Sequence, residues 1–161
     1  MVPIEARTAA GLDASETLEL ISFEIGGQEY CIDVRSVREI RGWTQTTPMP
    51  QTPDYILGVI NLRGSVMPVL DLRCRLGLGN TEPSSRHVIV VIQHADRMAG
   101  ILVDGVQETF QLAASLLQAP PAMDSVANDR FVDAIIPLEG RMLSRLVVGS
   151  LLPVEDRAEA A

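Results

Sequence analysis

Four times in 161 residues an apolar run breaks at a tight pair and starts again: Gly26-Gly27, Arg63-Gly64, Ala95-Asp96 and Glu139-Gly140. Short extended runs around glycine-bearing pairs are hairpin signals, because primed turns need the positive φ that glycine supplies. Four hairpins and little helix predict an all-β chain. The runs "HVIVVI" and "GILV" are apolar at nearly every position, which predicts strands buried on both faces. Such a chain must hide its sheet edges, and small barrels do so. Two barrels fit the length, one over about residues 18–85 with part of the C-terminal segment and one over about 86–150. Residues 1–16 read as a flexible arm and 153–161 as an acidic tail. Between the hairpins, "DVRSVREIRG" reads as a helix over 33–42. Val34, Val37 and Ile40 recur every three residues, Asp33 is placed to cap the start and Gly42 the end. Three prolines, Pro48, Pro50 and Pro53, make the next stretch an extended connection, and "DLRCRLGLG" holds one helical turn ended by glycines.

Composition narrows the function. The chain is 47% hydrophobic, enough to bury a core, but no apolar run approaches a membrane span. No basic-then-apolar leader is visible, so a cytoplasmic location is expected. The net charge of -8 is concentrated at the ends, with four acids and one arginine in residues 1–20. A nearly balanced middle lacks the basic face that nucleic acid requires, and 4% aromatic residues make a poor base-stacking platform. Lysine is absent and all 13 basic residues are arginine, which removes P-loop, Schiff-base and lysine-base chemistry. Cys31 and Cys74 stand alone without metal-ligand spacing, so no metal and no cofactor are expected. Neither His87 nor His94 sits in a nucleophile motif. Asp71 and Asp104 lie near strand ends, where bonds to turn amides or to Arg73 or Arg75 suit them better than paired acid–base work. A surface that binds protein remains.

At this point "SFEIGGQEYCIDVRSVREIRG", "PDYILGVINLRGSVMPVLDLRCRLGL" and "VIVVIQHADRMAGILVDGVQET" resemble the CheW-type chemotaxis coupling family, in order and spacing, from about Leu18 to Leu152. The resemblance implies two SH3-like five-stranded barrels sharing a core, with short helices in the connections. It also implies a non-catalytic adaptor linking the cytoplasmic tips of methyl-accepting chemoreceptors to the regulatory domain of the histidine kinase CheA. Other copies of such domains are possible ring partners, and a pathway such as pilus motility is the alternative setting. Carried over by position, Val37, Glu39, Asn61 and Arg63 match receptor-contact positions, and Gly58 matches a position sensitive for kinase coupling. Ser144 and Arg145 interrupt an apolar run that the family usually continues.

On residue type alone three of these positions have a second reading. Arg63 could fix its own turn through an ion pair to Glu39 or Asp71. Val37 shares the stripe of Val34 and Ile40 and reads as core. Gly58 could serve backbone packing or a bulge.

Overall fold

The computed structural model describes residues 16–121 and 130–153; the expected arm and tail fall almost wholly outside these. Ten strands are β1 (Thr17–Ile25), β2 (Gln28–Asp33), β3 (Val37–Gly42), β4 (Ile56–Leu62), β5 (Ser65–Asp71), β6 (Val88–His94), β7 (Arg97–Val103), β8 (Gly105–Ala113), β9 (Val132–Leu138) and β10 (Arg141–Leu146). Two one-turn helices, α1 (Leu72–Arg75) and α2 (Val148–Leu151), follow β5 and β10. The fold is all-β, and the four turns fall where the tight pairs stand.

The strands form two five-stranded sheets, ordered β8-β1-β2-β10-β9 and β3-β6-β7-β5-β4. The two orders are the same pattern twice. Hairpin β1–β2 in one sheet corresponds to β6–β7 in the other, and β8, β9 and β10 correspond to β3, β4 and β5. Each sheet contains one parallel pair at the corresponding place, β2 with β10 and β7 with β5. The end strands of each sheet also meet. Thr47, in the connection after β3, exchanges backbone bonds of 2.9 Å with Val59 on β4, and Gln118, after β8, does the same with Ile135 on β9. Each sheet is thereby closed into an SH3-like barrel.

The expected division near residue 85 does not separate the barrels. One barrel takes its hairpin β1–β2 from the first half of the chain and three strands from the second; the other does the reverse. The halves have exchanged hairpins, a long-range pairing that leaves no local mark in the sequence.

Three apolar clusters follow from this arrangement. Leu20, Cys31, Ile136 and Leu143 fill one barrel, and Ile60, Met67, Ile89 and Val91 fill the other. Phe23, Ile32, Leu70, Val90, Ile92 and Ile101 lie between the barrels in a shared core. On β6, Ile89 and Val91 face their own barrel while Val90 and Ile92 face the shared core. This double burial is why the run is apolar throughout.

The expected helix over 33–42 is not formed. Asp33 does cap, accepting from the Arg35 amide at 2.8 Å, but it caps only a 3-10 turn over Val34–Ser36. The chain then extends as β3, whose burial alternates residue by residue, and Ile40 lies 45% exposed. Valine and isoleucine favour the strand, and β6 offers a full ladder to pair with. Strands β7 and β8 are separated by Asp104 alone. Its backbone amide donates to Glu24 and its carboxylate accepts from the Gly26 amide, so β8 crosses to the other sheet. Arg145, which interrupts the apolar run of β10, is paired with Asp133 at 2.7 Å.

Candidate docking surface

The hairpin β4–β5 ends in a two-residue turn with φ of +51° at Arg63 and +87° at Gly64. Positive φ at both positions is the primed-turn geometry that matches strand twist. An arginine there is strained, by about 1 kcal/mol, so something must hold the turn. Asn61 does so from the strand: its Oδ1 accepts from the Gly64 amide at 2.9 Å. The Arg63 side chain stays 74% exposed, and its Nη2 donates to Glu39 Oε1 at 2.7 Å. Glu39 sits on β3, the far end strand of the same sheet. The ion pair therefore spans the seam where the barrel closes. The other Glu39 oxygen lies 3.6 Å from Arg41. An exposed pair of this kind contributes roughly 0–1 kcal/mol; it orients the side chain more than it stabilises the fold.

The corresponding tip on the other barrel is built alike. Glu139 and Gly140 have φ of +47° and +80°. Arg141 reaches Glu108 on the end strand β8 at 2.8 Å, and Glu29 at 3.4 Å. Val66 and Met142, two residues beyond each turn glycine, are 67% and 64% exposed. Neither is marked by the sequence, because each precedes a buried residue in an apolar run; once the turn is placed, the alternation of a strand puts both outside.

Glu39 and Arg63 are thus in direct contact, with Asn61 beneath the turn. Val37 stands apart: half-buried, it packs against the shared core. Gly58 has φ of +147°, and a Cβ there would lie 2.5 Å from the Thr47 carbonyl oxygen and 2.8 Å from Thr46 Oγ1. The register shifts between Ile56 and Gly58, so the glycine sits at a bulge against the closing bridge. Two clefts flank Val66. One, of about 410 Å³, is lined by Arg41, Thr44, Gln45, Thr47 and Asn61; the other, of about 390 Å³, by Arg63, Met67, Asp96 and Met98.

The side chains best suited to chemistry are engaged elsewhere. His87 does stand near a hydroxyl and a carboxylate, with Nδ1 3.2 Å from Ser84 Oγ and Nε2 3.6 Å from Asp104. Its Nδ1, however, accepts from the Ser84 backbone amide at 3.0 Å, which occupies the lone pair a general base would use. Asp104 is bonded to the Gly26 amide and to Arg73 at 3.1 Å. Asp71 accepts from the amide and hydroxyl of Thr81, both at 2.7 Å. These carboxylates fix turns. Burial pushes the Cys31 thiol up to about 12, with Arg145 pulling down and Asp133 pushing up; burial likewise raises Cys74, helped by Asp54 and Asp71. Among the described residues no three His, Cys, Asp or Glu side chains are grouped to hold a metal ion, and no helix is long and apolar enough to cross a membrane.

The model of the CheW-like domain matches residues 19–156. Over 142 residues the chain is 44% identical to the chemotaxis protein CheW of Rhizobium meliloti (strain 1021), covering 88% of this chain and 92% of that one. It is 30% identical over 121 residues to the protein PilI of Pseudomonas aeruginosa, covering 71% and 68%. Among solved structures, the scaffolding protein TtCheW from Thermoanaerobacter tengcongensis superposes with a TM-score of 0.76 at 28% identity, covering 82% of this chain and 90% of that chain.

Proposed function

The chain belongs to the CheW-like family, and from that premise we propose that it couples the cytoplasmic tips of transmembrane chemoreceptors to the regulatory domain of the histidine kinase CheA, without catalysis, in arrays at the membrane. The observation that carries the reading is the Arg63 tip. A guanidinium held on a strained turn, supported by Asn61 and aimed by Glu39, loses little freedom when a partner takes it. Its planar fork suits a carboxylate or the last carbonyls of a helix. Glu39, Asn61 and Arg63 form the receptor contact, with Val37 at its inner margin. Gly58 acts on kinase coupling through the bridge it permits between Thr47 and Val59. Identity is higher to the chemotaxis relative than to PilI, which favours a chemotaxis pathway over the pilus-motility alternative.

The test is a pull-down of wild type and Arg63→Ala with a purified receptor signalling fragment and, separately, with the kinase regulatory domain. Arg63→Ala is expected to fold, to keep the kinase domain and to lose most of the receptor fragment. Equal capture of the receptor fragment by both proteins removes the site.

A further inference from the structure

The barrel that carries Arg63 is closed at one end of its seam and open at the other. Thr47 and Val59 exchange both backbone bonds. An antiparallel seam would next pair Gln45 with Asn61, but among the described residues those two backbones are not bonded to each other. The 410 Å³ cleft lies there, between Thr44, Gln45 and Arg41 on one side and Asn61 on the other. Beyond it Arg63 reaches across to Glu39 by side chains.

β4 turns backbone groups into this opening, and β3, whose Arg41 lines it, leaves the backbone of the residues on either side of Arg41 unpaired among the described residues. On β4, Val59 directs its N–H and C=O to the seam, so Asn61, two residues on, directs its own the same way. On β3, the Trp43 amide donates to the His87 carbonyl at 3.2 Å, so the intervening alternation turns Gly42 and Ile40 away from β6 and toward the seam. Three residues therefore present six backbone groups on unfilled edges. Such edges select an extended backbone, since between its first and last turns a helix has no backbone group free to meet them. Val66 lines the cleft and is 67% exposed, and Ile40, the residue before the lining Arg41, is 45% exposed. The charge of the rim is unbalanced: Arg41 and Arg63 share the single carboxylate of Glu39.

We propose that this open seam takes an extended segment of a partner polypeptide, added as a short strand to Asn61 of β4 and to Ile40 and Gly42 of β3, with apolar side chains on Ile40 and Val66 and a carboxylate on Arg41. The inference deepens the adaptor reading of this surface and rests on it. It assigns a mode of contact that the tip arginine alone does not specify.

A synthetic probe decides it: N-acetyl-Thr-Val-Glu-Val-Thr-amide titrated into isotope-labelled full-length protein, with amide exchange followed residue by residue. With peptide at about 1 mM, a dissociation constant of about 0.1 mM leaves roughly a tenth of the sites free, so the amides of Ile40, Gly42 and Asn61 are expected to exchange about tenfold more slowly. Replacing the peptide glutamate by lysine, or Arg41 by alanine, is expected to weaken binding several-fold. Exchange unchanged at all three amides overturns the proposal, even if the receptor fragment or the kinase domain is captured in the pull-down above. Protection of the three amides by the peptide with neither protein captured leaves the seam standing and sinks the adaptor reading. Protection that is indifferent to the glutamate-to-lysine change overturns the charge assignment to Arg41.

Discussion

Replacing Gly58 by alanine tests how much the bulge matters, and Gly64 supplies the control. Both residues have positive φ, +147° and +87°. At Gly64 an added Cβ meets nothing within 4 Å, so Gly64→Ala carries backbone strain alone, about 1–2 kcal/mol. At Gly58 the same methyl would sit 2.5 Å from the Thr47 carbonyl oxygen and 2.8 Å from its carbon, which are backbone atoms and cannot swing aside. Ordinary contact requires the Thr47 segment to retreat by nearly an ångström, and the two 2.9 Å bonds between Thr47 and Val59 break with it. Two seam hydrogen bonds at about 1 kcal/mol each, added to strain of about 1–2 kcal/mol, put Gly58→Ala at about 3–4 kcal/mol. That is about 2 kcal/mol beyond Gly64→Ala. In a domain of this size 1 kcal/mol moves Tm by about 2–4 °C, so the two variants should melt about 4–8 °C apart. Parallel thermal and urea unfolding of wild type and the two variants measures this, with exchange of the Val59 amide as a local readout. Equal destabilisation by the two substitutions, or a protected Val59 amide in Gly58→Ala, refutes the steric argument. It would also make a loss of kinase binding in Gly58 variants a surface effect and not a consequence of the broken bridge.

Arg63→Gly relieves left-handed strain of about 1 kcal/mol, loses a similar amount to the flexibility of the unfolded chain, and forfeits an exposed ion pair of roughly 0–1 kcal/mol; urea unfolding should show stability within about 1 kcal/mol of wild type while receptor binding falls. Cys31 has its thiol raised above the ordinary 9.0 to about 12, so the unfolded chain ionises first: stability from this group is complete below pH 9 and is lost as pH rises, by about 1.4 kcal/mol at pH 10, and Cys31→Ala should flatten that slope in denaturant titrations at pH 8 and pH 10. Because the hairpins are exchanged, residues 1–85 alone should show no cooperative unfolding, whereas mixing them with residues 86–161 should restore it by circular dichroism.

The turns were legible because a left-handed residue is a local demand. Gly26-Gly27, Arg63-Gly64 and Glu139-Gly140 all meet it with positive φ, and Ala95 meets it at +59°. The nature of residues 34–42 was not, because "VRSVREI" carries apolar residues at a period of three while the burial realised alternates at two. The arbiter is β6, more than forty residues away, whose edge outbids a short helix with one cap. The hairpin exchange was hidden for the same reason: which strand takes which neighbour is settled by the shared core, and both partitions satisfy the same local patterns. Of the site, the Glu39–Arg63 contact was among the alternatives that residue type allows. The role of Asn61 as a turn brace, the half-burial of Val37 and the exposure of Val66 and Ile40 depend on strand register, which the run "NLRGSVMPVL" does not reveal until its turn is placed.

The exchange also bears on how a docking surface can work here. Strands β6 and β7 carry apolar side chains on both faces, one face inside their barrel and the other in the shared core. A barrel could swing relative to its neighbour only by exposing Val90, Ile92, Ile101 and Val103, all fully buried; four aliphatic side chains at about 1.5–3 kcal/mol each make that motion prohibitive beside a total stability of about 5–15 kcal/mol. The barrels therefore move as one body, and compliance is confined to the places where the ladder is incomplete. The open seam beside Arg63 is such a place. A partner strand added at that seam, as proposed above, would sit next to the Thr47–Val59 bridge that Gly58 permits. Gly58, proposed above for kinase coupling, and Asn61, proposed for receptor contact, stand on the same strand on either side of Val59, whose backbone bonds to Thr47 form the bridge.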